Sequence, residues 1–360
     1  MKVAIIHDWL TGMRGGEKCL EVFCELFPDA TLFTLLHKKG SVSGIIENMR
    51  IKTSFIQCLP GVEKHYRNYL PLFPSAIESF DLRGFDLVLS SSHCVAKGAR
   101  IPKNALHICY CYTPMRYAWM FFEEYFGNYG YLKKKLVTSI LKGLRKWDLK
   151  TNENVDFFIG ISDNIKNRIK QFYGREACVI YPPVDVTDLD VSDKDDNFYL
   201  VVSALVPYKR VDIAVEAFNR LGKKLKIVGS GNSDNELKKT AKDNIEFLGW
   251  VDDLGLRGYY QKCSALIFPG EEDFGIVPVE AQACGKPVIA FAKGGALETI
   301  TPETGVFFKE QTVDSLVEAV QLFEKTKQRF TKEAVRNNAL RFSREIFKQK
   351  MKEFIAENIK

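Results

Sequence analysis

Residues 266–300 read LIFPGEEDFGIVPVEAQACGKPVIAFAKGGALETI, and the fold follows from how this stretch divides. Leu266–Phe268 and Val288–Phe291 are short apolar runs with strand length and strand composition. Between them Pro278 stands where a first helical turn begins, and Gly285 where a helix stops. The local order is therefore strand, loop, helix, strand. Glu272 falls on the loop at the carboxyl end of the first strand, and Glu280 in the first helical turn. Ligands bind at that edge of open α/β sheets. A carboxylate near a helix N-terminus is also favoured by the dipole, so a capping role is the lesser reading of Glu280. The run Glu271-Glu272-Asp273 is harder to reduce to structure, because three consecutive acids repel one another.

The bulk composition agrees with an α/β reading. A chain of 360 residues suits two such domains. Its 46% hydrophobic and 27% charged residues are those of a globular protein. No apolar run approaches the roughly 20 residues that span a bilayer. The opening MKVAIIHDWL reads as a buried strand, its apolar part too short for a signal peptide. Nine cysteines without a CxxC pair read as reduced thiols packed as small hydrophobes, which points to the cytosol. The five histidines do not cluster with them, so no metal site is expected. Residues 1–185 hold 25 basic and 18 acidic residues, a net +7, which leaves −1 for the remainder of the total +6. A basic first half steers acidic partners. No helix-turn-helix, RNP or zinc-finger signature accompanies it, and nucleic acid is not expected.

In chain order, Val3–Ile6 is a strand whose loop, HDWLTGMRGGEK, feeds a helix at about Cys19–Leu26. Gly15-Gly16 at a helix start lets backbone N–H groups approach a phosphate or sugar, although a glycine pair also makes a plain tight turn. Phe85–Leu89 ends in Ser90-Ser91-Ser92-His93, and His107–Tyr112 precedes TPMRYAW. Residues 131–150 turn helical, with Leu136, Val137, Ile140, Leu141, Leu144 and Trp147 as an apolar stripe among seven cations. Such a helix is either a solvated face on the core or a basic face for anionic lipid. Val155–Ile161 and Ala177–Tyr181 complete the first set of strands. The acidic DVTDLDVSDKDDN that follows reads as a linker. Phe198–Ser203, Lys224–Val228, Ile245–Trp250 and Gly305–Phe308 join the opening stretch in a second sheet. After the first of these strands, the adjacent cations Lys209-Arg210 make a plausible diphosphate clamp.

The Glu-x7-Glu frame, the Phe-Gly inside it and the following Glu-Ala-x-Ala-x-Gly-x-Pro-Val closely resemble the retaining GT-B glycosyltransferases of family 4. Thr113, Pro114, Arg116, Tyr117, Trp119 and Tyr181-Pro-Pro-Val-Asp185 match a bacterial subgroup often described as mannosyltransferases. The resemblance implies an α/β, GT-B fold of two Rossmann-like doubly wound domains facing each other across a cleft. It puts the acceptor-side domain at 1–185 and the nucleotide-sugar domain at 186–342, with a helix at about 343–360 packing back on the first.

The resemblance also implies roles. Glu272, His93 and Lys209 are the catalytic candidates: Glu272 for the sugar hydroxyls, His93 near the reacting carbon, Lys209 for the leaving diphosphate. Gly15, Gly16, Arg210, Phe274, Gly275, Ile276 and Val277 are donor-binding candidates, with Glu280 on the ribose. Arg116 lies on the acceptor side. Two departures stand out: Ala204 occupies the family's arginine position, and Tyr112 a usual histidine, so Tyr112 receives no role. No metal or cofactor is implied; the donor is a nucleotide sugar, GDP-mannose by the subgroup. The acceptor is a glycan or lipid-diphosphate-linked glycan, as in surface polysaccharide synthesis, with the protein at the inner, anionic face of the cell membrane. A non-catalytic nucleotide-sugar binder is the alternative. A dinucleotide dehydrogenase is disfavoured, because no G-x-G-x-x-G follows the first strand.

Overall fold

The computed structural model describes residues 1–120, 122–127 and 129–359. The chain divides into two compact units, Met1–Pro183 with the residues from Phe347 onward, and Val184–Ile346.

The first unit is built on a seven-stranded sheet: β1 (Val3–His7), β2 (Thr31–Thr34), β3 (Arg50–Thr53), β4 (Leu87–Ser92), β5 (Leu106–Cys111), β6 (Phe157–Gly160) and β7 (Ala177–Val179). Its spatial order is β3-β2-β1-β4-β5-β6-β7, with parallel pairing throughout. β1 and β4 are buried along their whole length, which is why they read as continuous apolar runs. The order reverses beside β1, so the loops after β1 and β4 leave the sheet at a switch point. Helix α1 (Gly15–Leu26) follows β1, and α2 (Tyr131–Lys150) follows β5.

The carboxyl half of α2 is fixed to the sheet by a buried charge. Lys97 Nζ lies 2.9 Å from Asp148 Oδ1 and also donates to the Asp148 carbonyl, Thr151 Oγ1 and Asn152 Oδ1. Trp119 Nε1 donates to the other oxygen of Asp148. An ammonium and a carboxylate removed from water persist only when paired and hydrogen-bonded in this way. Among the described residues, the amino half of α2 has no such buried anchor, only the exposed Lys134–Glu123 pair. Leu132 is 80% and Leu136 63% exposed, so Leu136 leaves the apolar stripe expected to pack on the core.

The second unit holds a six-stranded parallel sheet: β8 (Tyr199–Val202), β9 (Leu225–Val228), β10 (Ile245–Gly249), β11 (Ala265–Phe268), β12 (Val288–Phe291) and β13 (Gly305–Phe308), in the order β10-β9-β8-β11-β12-β13. Helices α3 (Val211–Leu221), α4 (Asp253–Lys262) and α5 (Ile276–Ala283) connect its strands. The acidic stretch read as a linker is held within this unit. Val186 is buried, Asp193 pairs with Lys332, and Asp195 pairs with Lys327 and accepts from Ser264 Oγ. The last helix, α6 (Arg344–Asn358), returns to the first unit from Phe347 onward. Phe347 packs 5.5 Å from Phe23, and Lys348 lies 3.1 Å from Glu25.

Candidate active site

In the second unit the chemistry starts from loop glycines. The turn after β8 carries Lys209, and the loop after β11 carries Glu272. A side chain at Gly270 would stand 2.9 Å from the Lys209 carbonyl, so only glycine lets the two loops approach this closely. Gly294 has φ +66, and a Cβ there would strike the Glu272 carbonyl at 2.3 Å. Gly295 donates its N–H to that same carbonyl at 2.8 Å. The acidic loop is thus seated on the turn after β12, and Lys293 holds Glu271 at 3.0 Å. With both backbones fixed, Lys209 Nζ and Glu272 Oε1 form an ion pair whose side chains are 17% and 18% exposed.

The remaining candidates of this unit fare differently. Arg210 sits in the left-handed region at φ +53 and turns its guanidinium to Asp212 at 3.1 Å. Phe274 is buried, with its ring 5.4 Å from Phe342, so the side chain belongs to the core. Gly275, at φ +92, lets the chain turn into α5, which starts at Ile276 and Val277. The first amides of a helix lack intrahelical partners and face anions well. Glu280 is in the second turn of α5, not the first, because the helix begins two residues before Pro278. Its Oε2 accepts from Tyr260 at 2.8 Å. Burial, with that carboxylate alongside, pushes the Tyr260 hydroxyl well above its ordinary value.

The first unit contributes a network that sequence reading only brushed. Asp8, one residue past β1, is fully buried. Its Oδ2 accepts the backbone N–H groups of His93 and Cys94 at 2.7 and 2.9 Å; its Oδ1 accepts those of Val95 and Ala96 at 2.7 and 2.8 Å. His93 Nδ1 lies 3.0 Å from Oδ2. Burial pushes the Asp8 carboxyl up, but the His93 ring and amide and the nearby His7 outweigh it and bring it to about 2. A carboxylate only accepts, so His93 carries its proton on Nδ1, and Nε2 is the nitrogen left for a ligand. The His93 side chain is 31% exposed and stands edge-on to Trp9 at 4.5 Å.

A second chain of bonds fixes the glycine pair. Tyr112 donates to the Gly16 carbonyl at 2.9 Å, so the hydroxyl of Ser91, 2.8 Å away, donates to Tyr112. Ser91 Oγ in turn accepts from His7 Nδ1 at 2.9 Å. The other His7 nitrogen faces Glu17 Oε1 at 3.8 Å. Burial raises the Glu17 carboxyl, and the nearby His7 imidazole outweighs this and lowers it overall. Tyr112 is therefore a clamp on the start of α1, not an acid or base. Arg116 opens a short helix, Arg116–Trp119, tied to this loop through Tyr117, whose hydroxyl is 2.8 Å from Cys94 Sγ.

The structure thus gathers Gly15, Gly16 and His93 at one sheet edge in the first unit, and Lys209, Glu272 and residues 274–277 at one in the second. Asp8, Glu17 and Ser91 were missed as site residues. The signal for Asp8 was a pair of ionisable residues, His7-Asp8, at the end of a buried apolar run. Among the described residues, no group of three or more His, Cys, Asp or Glu is placed to hold a metal ion.

Comparison with known proteins agrees with this architecture. Residues 190–341, within the second unit, match the family model described as Glycosyl transferases group 1. The chain is 36% identical over 152 residues to an uncharacterized glycosyltransferase of Methanocaldococcus jannaschii, covering 41% of this chain and 43% of the relative. It is 32% identical over 212 residues to the GDP-mannose-dependent monoacylated alpha-(1-6)-phosphatidylinositol monomannoside mannosyltransferase of Corynebacterium glutamicum, covering 50% of this chain and 56% of the relative. The chain spans about half the length of these curated relatives. HepE of Anabaena, solved in complex with UDP, aligns over 99% of this chain and 100% of its own with a TM-score of 0.70 at 15% identity. The two Rossmann-like parallel sheets are those of the GT-B fold.

The Asp8 network has a measurable consequence. Asp8 titrates at about 2 in the folded chain against an ordinary 3.8, so its stabilisation is complete above about pH 4 and is lost as pH falls toward 2. Breaking a buried pair costs about 3–5 kcal/mol, so Asp8→Asn should lower Tm at pH 7 by at least about 6 °C. The gap between variant and wild type should narrow at acid pH. An unchanged midpoint at pH 7 would show that the carboxylate does not hold the 93–96 loop.

Proposed function

We propose that this protein is a retaining, nucleotide-sugar-dependent glycosyltransferase that moves a hexose, mannose from GDP-mannose, onto a glycan or lipid-diphosphate-linked glycan acceptor in surface polysaccharide synthesis. The observation that carries this reading is the Lys209–Glu272 pair at the carboxyl ends of β8 and β11, inside the segment matching group 1 glycosyl transferases. The GDP-mannose assignment draws support from the named donor of the Corynebacterium relative.

In the proposed reaction the bond from the anomeric carbon to the diphosphate oxygen breaks. A bond from an acceptor hydroxyl forms on the same face, and the acceptor proton passes to the departing phosphate oxygen. The leaving group gains negative charge, and Lys209 with the first amides of α5 meets it. Stabilising charge that develops in the transition state is commonly the largest catalytic contribution. Glu272 accepts hydrogen bonds from the sugar hydroxyls, and Glu280 from the ribose once it exchanges its bond to Tyr260. In the first unit, the role proposed for Gly15, Gly16 and His93 is to hydrogen-bond donor phosphate and sugar, and for Arg116 to meet the acceptor. Arg210 reaches the diphosphate only by leaving Asp212. A non-catalytic nucleotide-sugar binder is the second reading, and Ala204 at the strand-end arginine position favours it.

Release of nucleoside diphosphate over GDP- and UDP-linked hexoses separates the two. A transferase releases one of them in the presence of acceptor, with Lys209→Ala and Glu272→Ala each reducing turnover by about 10² or more. Near wild-type turnover in either folded variant would reject its role, and no release from any donor would favour the binder.

The acceptor reading includes contact with anionic membrane. No helix of the described residues is long and apolar enough to cross a membrane. Exposed Tyr131, Leu132 and Leu136 instead lie among Lys133, Lys134, Lys135, Lys142 and Lys146 on α2, an arrangement suited to lying on lipid. Each such charge is worth about 1 kcal/mol near an anionic surface. Replacing Lys134, Lys135, Lys142 and Lys146 with Gln should therefore weaken binding to phosphatidylglycerol vesicles by more than tenfold, and raised salt should release the wild type. Equal binding by the variant would make α2 an ordinary solvated face.

A further inference from the structure

The second unit has a cavity of about 880 Å³ that the proposed transfer does not use. It lies at the amino ends of the strands: Phe198 directly precedes β8, Leu225 opens β9, and Asn244 directly precedes β10. Lys209 and Glu272 follow the carboxyl ends of β8 and β11. The cavity is therefore at the opposite edge of the same sheet. Its volume is that of a small-molecule site.

Its lining selects a class of ligand. Lys224, Lys226 and Lys262 are matched by Asp196, Asp243 and Glu246, so the site presents as many carboxylates as ammonium groups. Lys226 is 2.8 Å from Glu246, which leaves neither charge free to attract an ion. Phe198 and Tyr259 add aromatic surface, with Lys226 Nζ 5.2 and 5.7 Å from their ring centres. A phosphate would meet Asp196 and Asp243 together with Lys224 and Lys262, which gives an anion no net attraction, and a purely apolar ligand would strand the charges. A neutral, polyhydroxylated ligand suits both sets, because each hydroxyl donates to a carboxylate and accepts from an ammonium.

One lining residue leaves open space for an occupant. Gly258 lines it from the middle of α4. Glycine weakens a helix interior relative to alanine. A Cβ at Gly258 would have no heavy atom of the chain within 4 Å, so the fold itself does not require glycine there. Gly255, one turn earlier, is different: its Cβ would meet Val251 Cγ1 at 2.8 Å, and its N–H caps the helix on Asp252. Local structure accounts for Gly255 and not for Gly258.

We propose that this cavity is a non-catalytic carbohydrate-binding site, which takes a segment of neutral oligosaccharide and approaches α4 closely at Gly258. It is argued from its own lining and does not depend on the donor chemistry at the other edge. In a transferase that extends a glycan, such a site would keep the chain at high local concentration between additions.

The test is a titration of the full chain with mannohexaose, maltohexaose and chitohexaose up to about 10 mM, a range that covers weak binding near 1 mM. It is followed by NMR or calorimetry and paired with GDP and UDP titrations. At least one hexaose should saturate the wild type. Gly258→Gln, which puts a long side chain into the cavity from a half-buried position on α4, should weaken that hexaose about tenfold or more and leave nucleotide binding unchanged. Gly258→Ala should raise Tm by about 2 °C, as the better helix former, while weakening the hexaose less than Gln does. Lys209→Ala should have the reverse selectivity, losing nucleotide and keeping hexaose. The proposal is overturned if no hexaose saturates, if Gly258→Gln binds it as well as wild type, or if Lys209→Ala abolishes it. A failure of nucleotide binding alone would count against the donor reading and leave this site standing.

Discussion

The ion pair between Lys209 and Glu272 is the constraint around which the second unit is arranged. Two long side chains of opposite charge meet only because three stretches of backbone are brought unusually close. Gly270 admits the Lys209 turn, Gly294 admits the Glu272 carbonyl, and Gly295 hydrogen-bonds it. An exposed pair held by flexible side chains contributes little. Here the anchoring is in the backbone, so the entropy of holding the two groups together is already met by the fold. The pair is then a resting state. Under the proposed function, each partner neutralises the other until a ligand with a diphosphate and hydroxyls offers both a better match.

The first unit solves a related problem in the opposite way. It buries a charge and surrounds it with donors. Asp8 gathers four successive amides and one imidazole nitrogen, which dictates both the path of residues 93–96 and the tautomer of His93. Tyr112, Ser91 and His7 then fix the Gly16 carbonyl by a directed run of hydrogen bonds. Both devices hang on the ends of β1, β4 and β5, the strands that run through the middle of the sheet. Rigid strands thus hand their geometry to loops, which is how a parallel sheet positions chemistry.

Much of this was legible in the residues. Buried strands such as β1, β11 and β12 announce themselves as short apolar runs, and α2 was readable to its last residue from its spacing. β2 and β3 were not. Arg50–Thr53 is an edge strand with three exposed side chains, and its composition resembles a polar turn. The start of α1 was placed late, because Gly15 and Gly16 are poor helix formers and the helix is held there by Glu17 and Tyr112 instead. Lys209 and Glu272 were picked out as candidates because each follows a strand. Their pairing was not, since it depends on the loops meeting at Gly270 and on Gly294 and Gly295 beyond the next strand. Arg210 was read beside Lys209 as a second, donor-binding cation of the same clamp. Its left-handed backbone turns it to Asp212, a preference local geometry imposes and spacing does not reveal. Asp8 was overlooked for a related reason: its partners are backbone amides, which carry no sequence signature.

The central claim is that Glu272 occupies Lys209 until a donor diphosphate displaces it. The direct measurement is the affinity of the nucleoside diphosphate alone for the wild type and for Glu272→Gln. Removing the competing carboxylate frees Lys209 and relieves its repulsion of the phosphates. Glu272→Gln should therefore bind the diphosphate about tenfold tighter, a difference of about 1.4 kcal/mol. Unchanged or weaker binding by Glu272→Gln would contradict the account, because Lys209 would then not be the group that the diphosphate takes over.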